Sequence, residues 1–528
     1  MFHPEERTAE AQGRKDLLQA EAELARLESM LFYLPFPPDD LVSQHEDVER
    51  QVISLRVALA PCKKLPAELL AEVFLFCIAH PTVLPPTSHE PLLVLTQVCS
   101  GWRELALQTP QLWASISVSL TSEDTDVPRL AEITKQWISR AGTTCPLSIT
   151  VECSGPYANI VCEDPELVSA FGALIVSHAQ HLRDVDLALP ITALLPFFKL
   201  PPGTFPCLQT LALRPLLLLS DMVTPETGYA PWHWPCTALA LEEAPLVREV
   251  TYSPTPLFKL AELEVMLDDI MERAMTPPDL LVHPFFAPSF PLPWAQLSII
   301  SFPFTALPVE TWCAAITDCP GLEHFEVAIK PSEATREHRR PLSDQLIHLA
   351  HLHYLSISAF SGGGDELLDR LVAPKLTVFT LMGVHFSIAS LKFFHARSNC
   401  LLETFIPVIH FPAEDVVPLF AQFFEIRTLI ILAVSTDHFP APFWARVGRA
   451  ELLPNMEGLL IRPTAAQAPL LVDMIDARWA AAIEGSGLAL AVGFCDVKPA
   501  HLEAVNDALR RLEKYAEGGR VVNFLTVC

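Results

Sequence analysis

Leu352-His353-Tyr354-Leu355-Ser356-Ile357 holds apolar residues at its first, fourth and sixth positions and polar or aromatic ones between. Spacings of three and then two place a turn ahead of a short strand whose alternate side chains share one face. The same form recurs as Leu182-x-x-Val185-x-Leu187, Leu208-x-x-Leu211-x-Leu213, Val247-x-x-Val250-x-Tyr252 and Leu297-x-x-Ile300-x-Phe302. It continues as Leu322-x-x-Phe325-x-Val327, Leu376-x-x-Phe379-x-Leu381, Leu402-x-x-Phe405, Ile426-x-x-Leu429-x-Ile431 and Met456-x-x-Leu459-x-Ile461. Starts are 24 to 50 residues apart. Most intervals sit near the period of a leucine-rich repeat, in which each strand needs its neighbours to cover its core. An irregular α/β arrangement is the alternative.

Several motifs follow a stop, as at Phe205-Pro206-Cys207, Cys319-Pro320-Gly321 and Ala373-Pro374-Lys375. The long interval before Leu297 holds an amphipathic pattern from Leu257 to Met275 and a Pro-rich loop. It reads as an insertion near residues 253–296. In a solenoid the residues between the inward positions line a concave face: Asp184, Asp186, Glu249, His324, Glu326, Tyr354, Ser356, Thr380 and Thr428. Such a face, acidic at first and apolar farther on, suits a target protein with a basic patch beside an apolar one. Ordinary solvated strand residues are the plainer alternative at any one position.

Toward the N-terminus the pattern becomes helical. Leu17, Leu24, Leu27, Leu31 and Leu34 form one heptad-like stripe, and Leu41, Val48, Val52, Leu55 and Leu59 form another. Pro35-Phe36-Pro37-Pro38-Asp39-Asp40 separates them, so the halves are expected to fold back as a hairpin or to pair between chains.

Between this segment and the strands lies Lys64-Leu65-Pro66-Ala67-Glu68-Leu69-Leu70-Ala71-Glu72-Val73-Phe74-Leu75-Phe76-Cys77-Ile78. Pro66 suits the first helical turn, and Glu68 complements the helix dipole there. Leu69, Leu70, Val73, Phe74, Cys77 and Ile78 form one apolar face, with Phe76 off it. A second helix is expected from Pro91 to Leu107, carrying Leu92, Leu95, Cys99, Trp102 and Ala106. A third element opens at Thr109-Pro110 and carries Leu112 and Trp113. Three short helices expose more apolar surface than they can bury among themselves, which implies a docking face.

Leu65-Pro66-x-Glu68-Leu69-Leu70-x-Glu72-Val73-Phe74, then Val98-Cys99-x-x-Trp102-x-x-x-Ala106, then Thr109-Pro110-x-Leu112-Trp113 resembles the F-box, in the F-box-like form common in mushroom-forming fungi. The resemblance implies docking on the Skp adaptor of SCF-type cullin–RING ubiquitin ligases. It places adaptor contact on Leu65, Pro66, Leu69, Leu70, Val73 and Phe74, with Val98, Cys99, Trp102, Leu112 and Trp113 forming or supporting the surface. The expected fold is thus an α+β or α/β solenoid. A helical hairpin (1–60) and a three-helix F-box (61–118) precede a degenerate leucine-rich-repeat array (119–528).

The remaining composition bounds the function. The chain has 528 residues, half of them hydrophobic, and a formal net charge of −26, which argues against a nucleic-acid binder. The longest stretch without Asp, Glu, Lys or Arg, Leu280 to Val309, is broken by prolines and does not read as a membrane span. Thirteen scattered cysteines without a CxxC pair fit a cytoplasmic or nuclear protein. Ser361-Gly362-Gly363-Gly364-Asp365 lacks the Lys-Ser/Thr of a phosphate loop, Gly485-Ser486-Gly487 is too short for a nucleophile elbow, and no such elbow occurs elsewhere. His348, His351 and His353 lack a Cys or acid at zinc-ligand spacing. Trp232-His233-Trp234 reads as a loop anchor, with an exposed aromatic hot spot as the alternative. No metal, cofactor or catalytic residue is expected. The sequence reads as a non-enzymatic substrate receptor for an unidentified protein target. The alternative is a scaffold with a vestigial box that self-associates through the N-terminal helices.

Overall fold

The computed structural model describes residues 4–34, 36–60, 65–121, 126–154, 158, 160, 166–218, 239–253, 255–257, 292–330, 345–359, 362–383, 386–409, 412–423, 425–431, 439–461, 467–481, 489–492, 510–511 and 522–524. Trp232-His233-Trp234, Gly485-Ser486-Gly487 and most of the insertion near 253–296 lie outside these residues. Of the amphipathic pattern from Leu257 to Met275 only Leu257 is described, and it closes a short strand, Thr255–Leu257. The chain forms two compact units, residues 1–82 with 86–113 and residues 83–85 with 114–528.

In the first unit, helices α1 (Pro4–Tyr33) and α2 (Asp39–Ala58) run antiparallel. Arg56 reaches Glu21 at 2.8 Å near the open end, and Leu59 packs against Gly13. Leu27 and Val52 are buried in the seam, and the other stripe leucines and valines, Leu34 apart, are partly covered. The two heptad-like stripes therefore meet within the chain.

Three short helices follow: α3 (Ala67–Cys77), α4 (Pro91–Val98) and α5 (Ser100–Gln108), with a 3-10 turn at Pro110–Trp113. The expected single helix from Pro91 to Leu107 is broken at Cys99. Cys99 is extended (φ −159°, ψ 168°), and its Sγ accepts the Trp102 N–H at 3.4 Å. Cys99 thus caps a new helix, and Gly101 lies in that helix's first turn, not in a helix interior. Pro66 likewise stands one residue outside α3, where its carbonyl accepts the Leu70 N–H at 3.0 Å.

The second unit is built on one sheet of fifteen strands among the described residues, ordered as they follow in the chain. They are β1 (Thr82–Leu84), β2 (Ser115–Leu120), β3 (Leu147–Cys153), β4 (Leu182–Ala188) and β5 (Thr210–Leu213). Next come β6 (Glu249–Tyr252), β7 (Ile299–Pro308), β8 (His324–Lys330), β9 (Tyr354–Ala359) and β10 (Val378–Gly383). The last are β11 (Thr404–Ile409), β12 (Thr428–Ile431), β13 (Gly458–Ile461), β14 (Ala489–Val492) and β15 (Val522–Phe524). Every neighbouring pair from β2 to β15 is parallel. Parallel neighbours require crossovers, and most are helical, as at Val127–Ala141, Val309–Thr317, Ile388–Ser398 and Ala441–Gly448.

Register explains the spacing of the sequence motif. Leu211, Val250, Ile300, Phe325, Leu355, Phe379, Phe405, Leu429 and Leu459 stand in one row across the sheet. Every apolar position of every motif above is buried. Aromatic contacts tie the row to its helices, with Trp312 5.7 Å from both Phe302 and Phe325, and Phe405 5.8 Å from Phe420. The sheet extends beyond the motifs at both ends, through β1 to β3 and through β14 and β15.

Candidate protein-docking surfaces

Helix α3 has two adjoining apolar stripes with different fates. Leu70 and Phe74 face inward, and Phe74 packs on Trp102 with ring centroids 4.9 Å apart. Leu69, Val73 and Phe76, spaced four and three apart, form the outward stripe and are 54%, 45% and 85% exposed. Leu65 and Pro66 are exposed just ahead of it, and Val94, Val98 and Cys99 are exposed along α4 and its end.

This arrangement divides the residues that the sequence placed on one surface. Leu65, Pro66, Leu69, Val73, Val98 and Cys99 are available to a partner, and Trp102 is partly so. Leu70, Phe74, Leu112 and Trp113 are interior and carry the surface from behind. The reason is helical phase: residues at 70 and 74 lie about 100° per residue around from 69 and 73. Phe76, read as lying off the apolar face, belongs to the exposed stripe, and its spacing from Leu69 and Val73 was the signal for it.

Hydrogen bonds hold the support rigid. Trp113 Nε1 donates to the Ala106 carbonyl at 2.8 Å, Arg103 Nε to the Thr96 carbonyl at 2.8 Å, and Thr109 Oγ1 to the Leu105 carbonyl at 2.7 Å. Apolar side chains standing in water on a fixed three-helix base are what a protein partner would cover. Residues 62–119 match the F-box-like family model. This F-box-like domain marks the chain for protein–protein interaction and points to an Skp-type adaptor. No curated protein matches the chain.

The sheet face opposite the core gathers the residues expected on the concave surface. His324, Tyr354, Val378, Thr404 and Thr428 form one row, and Glu326, Ser356, Thr380 and Ile406 form the next. Ser356 and Thr380 are buried, short side chains set in a row between the longer Glu326 and Ile406, and so offer a partner no surface. The expected acidic start of the face is also corrected. Arg183 pairs with Asp184 at 2.8 Å, and Ser148 Oγ donates to the same carboxylate at 2.6 Å. Arg214 grips Asp186 through two hydrogen bonds of 3.0 and 2.9 Å. Asp184, Asp186, Glu249, His324, Glu326, Tyr354 and Thr428 are all partly covered.

His324 and Tyr354 stack with ring centroids 4.0 Å apart, and Glu326 accepts from Ser301 Oγ at 2.5 Å. Burial lowers the pKa of His324, against an upward pull from Glu326. The neutral ring is therefore favoured in the fold. As pH falls below the ordinary imidazole value of about 6.5, the unfolded chain takes up this proton first. The stability that His324 contributes is then lost through its folded pKa. A His324→Gln variant is expected to lose less of its thermal midpoint than the wild type between pH 7 and pH 5. Equal losses in a melting series would contradict this.

Burial pushes the thiols of Cys153 and Cys400 up to about 11 and that of Cys319 to about 12, so these cysteines are inert near neutrality. Among the described residues no group of three His, Cys, Asp or Glu side chains is placed to hold a metal ion. No described helix is long and apolar enough to cross a membrane.

Proposed function

We propose that this chain is a non-enzymatic substrate-recognition subunit of an SCF-type ubiquitin ligase. Its F-box-like domain docks a Skp-type adaptor and, through it, a cullin, while the sheet unit holds a target protein. The observation that carries the reading is the apolar stripe of Leu69, Val73 and Phe76, exposed on α3 of a segment that matches the F-box-like family. In this reading the strands are degenerate leucine-rich repeats, each buried only by its neighbours. The chain contributes proximity and orientation of a target lysine, with no reacting group of its own. The cysteines among the described residues are free, half of them buried, which fits a reducing compartment, the cytoplasm or nucleus.

Gel filtration of the full chain with a purified Skp-type adaptor and cullin tests this reading. Co-elution of all three as one species is expected. Elution of the chain apart from the adaptor would refute it.

A further inference from the structure

We propose that the turn of the N-terminal hairpin is a second docking surface, whose occupant is a separate protein presenting an apolar pocket rimmed by Lys or Arg. Phe32, Tyr33 and Phe36 are 82%, 78% and 91% exposed, and Met30 and Leu34 beside them are also exposed. Leu27 and Val52 fill the seam between the helices, so these aromatics are not needed to hold the hairpin together. An aromatic side chain buries roughly 150–250 Å² when covered, so three of them approach the size of a functional apolar patch.

The helix ends on either side of the turn are closed by hydrogen bonds. The Leu34 N–H donates to the Leu31 carbonyl at 3.3 Å, and the Leu41 and Val42 N–H groups donate to the Pro38 carbonyl at 3.0 and 3.2 Å. Phe32 and Tyr33 meet edge to face, with ring centroids 5.3 Å apart.

Charge selects the occupant. No Lys or Arg occurs from Leu27 to Glu49, whereas Glu28, Asp39, Asp40, Glu46, Asp47 and Glu49 all fall there. The bounding cations are held locally, Arg26 by Glu23 at 2.7 Å and Arg50 by Asp47. A second copy brings the same acidic frame and a net charge of −26, and an anionic bilayer repels it likewise. A basic rim around an apolar pocket satisfies both features. The surface is independent of the adaptor reading, because it lies on α1, α2 and their connection.

The test places a photoprobe, Phe36→p-benzoylphenylalanine, in the full chain and irradiates the cells that make it. The expected adduct is with another protein, at a peptide whose apolar residues are flanked by Lys or Arg. Its yield should fall roughly tenfold when Asp39→Lys and Asp40→Lys are added. Glu28→Lys repeats the charge reversal from the other helix, and circular dichroism checks that the helices persist. Adducts on a second copy, on lipid or on a peptide without basic residues would overturn the proposal. So would a yield indifferent to charge reversal, or no more adduct than the same probe gives at exposed Gln51.

Discussion

Leu69→Glu with Val73→Glu is expected to lower affinity for a Skp-type adaptor by about 100-fold or more, close to 3 kcal/mol. Both side chains stand in the outward stripe of α3, about half exposed in the free chain. Placing two carboxylates there costs the free protein little, since surface changes away from special features shift stability by only about 0.5 kcal/mol. In the complex the same carboxylates must be desolvated against apolar surface without partners. The contrast with Phe74→Ala makes the test specific. Phe74 is fully buried against Trp102, and deleting its ring costs about 3–5 kcal/mol of stability. That variant loses the adaptor by losing the fold. A double glutamate variant that keeps its circular dichroism and still binds the adaptor like the wild type would contradict the assignment.

Arg478→Met carries the second large effect, on the sheet unit alone. Arg478 is buried in the helix Ala468–Ala481, and among the described residues no carboxylate pairs with it. Its guanidinium donates to the carbonyls of Val447 at 2.9 Å, Leu453 at 2.7 Å, Pro454 at 2.9 Å and Met456 at 3.4 Å. These carbonyls lie at the end of the helix Ala441–Gly448 and in the segment after it, where Ala450 and Leu453 hold positive φ angles of 56° and 49°. The left-handed region costs a non-glycine residue about 1–2 kcal/mol, so the segment needs an external clamp. Burial lowers the pKa of Arg478, and the hydrogen bonds are what make its burial tolerable. Methionine fills much of the volume but leaves the carbonyls unmet, and a loss of about 3 kcal/mol follows. Urea unfolding followed by tryptophan fluorescence should show it, with adaptor binding unchanged. An unaltered midpoint would sink the clamp.

The sheet was largely legible because its strands repeat one spacing of apolar residues. Apolar residues at the first, fourth and sixth positions face one core, and Leu182 through Ile461 follow that rule without an exposed exception. The N-terminal strands were harder to see. Trp113, Ile116 and Val118 carry the same spacing, and all are buried, but in the next strand an exposed Pro146 stands three residues ahead of Ile149, where the motif has its first apolar residue, so the pattern breaks there. The docking stripe was half legible. Composition marks α3 as apolar nearly all round, and only helical phase separates Leu69 and Val73 from Leu70 and Phe74.

Two further features lay beyond a pattern of residue types. Cys99 interrupts the second helix of the F-box-like domain because its sulfur meets a main-chain N–H, a contact that apolar periodicity does not record. The arginines that neutralise Asp184 and Asp186 come from outside the concave-face positions. Arg183 is adjacent in sequence, but Arg214 lies beyond the end of β5 and reaches back to β4. Of the acids read at the start of the face, Asp184 and Asp186 are thus balanced by arginines. Arg478 was equally hidden, since its acceptors are carbonyls that every residue possesses.

Hydrogen–deuterium exchange of the full chain, with and without a purified Skp-type adaptor, addresses the docking surface most directly. The account predicts slowed exchange confined to α3 and α4, with the amides of β4 through β13 unaffected. Protection that spares α3 and α4 and falls on the sheet strands would contradict it.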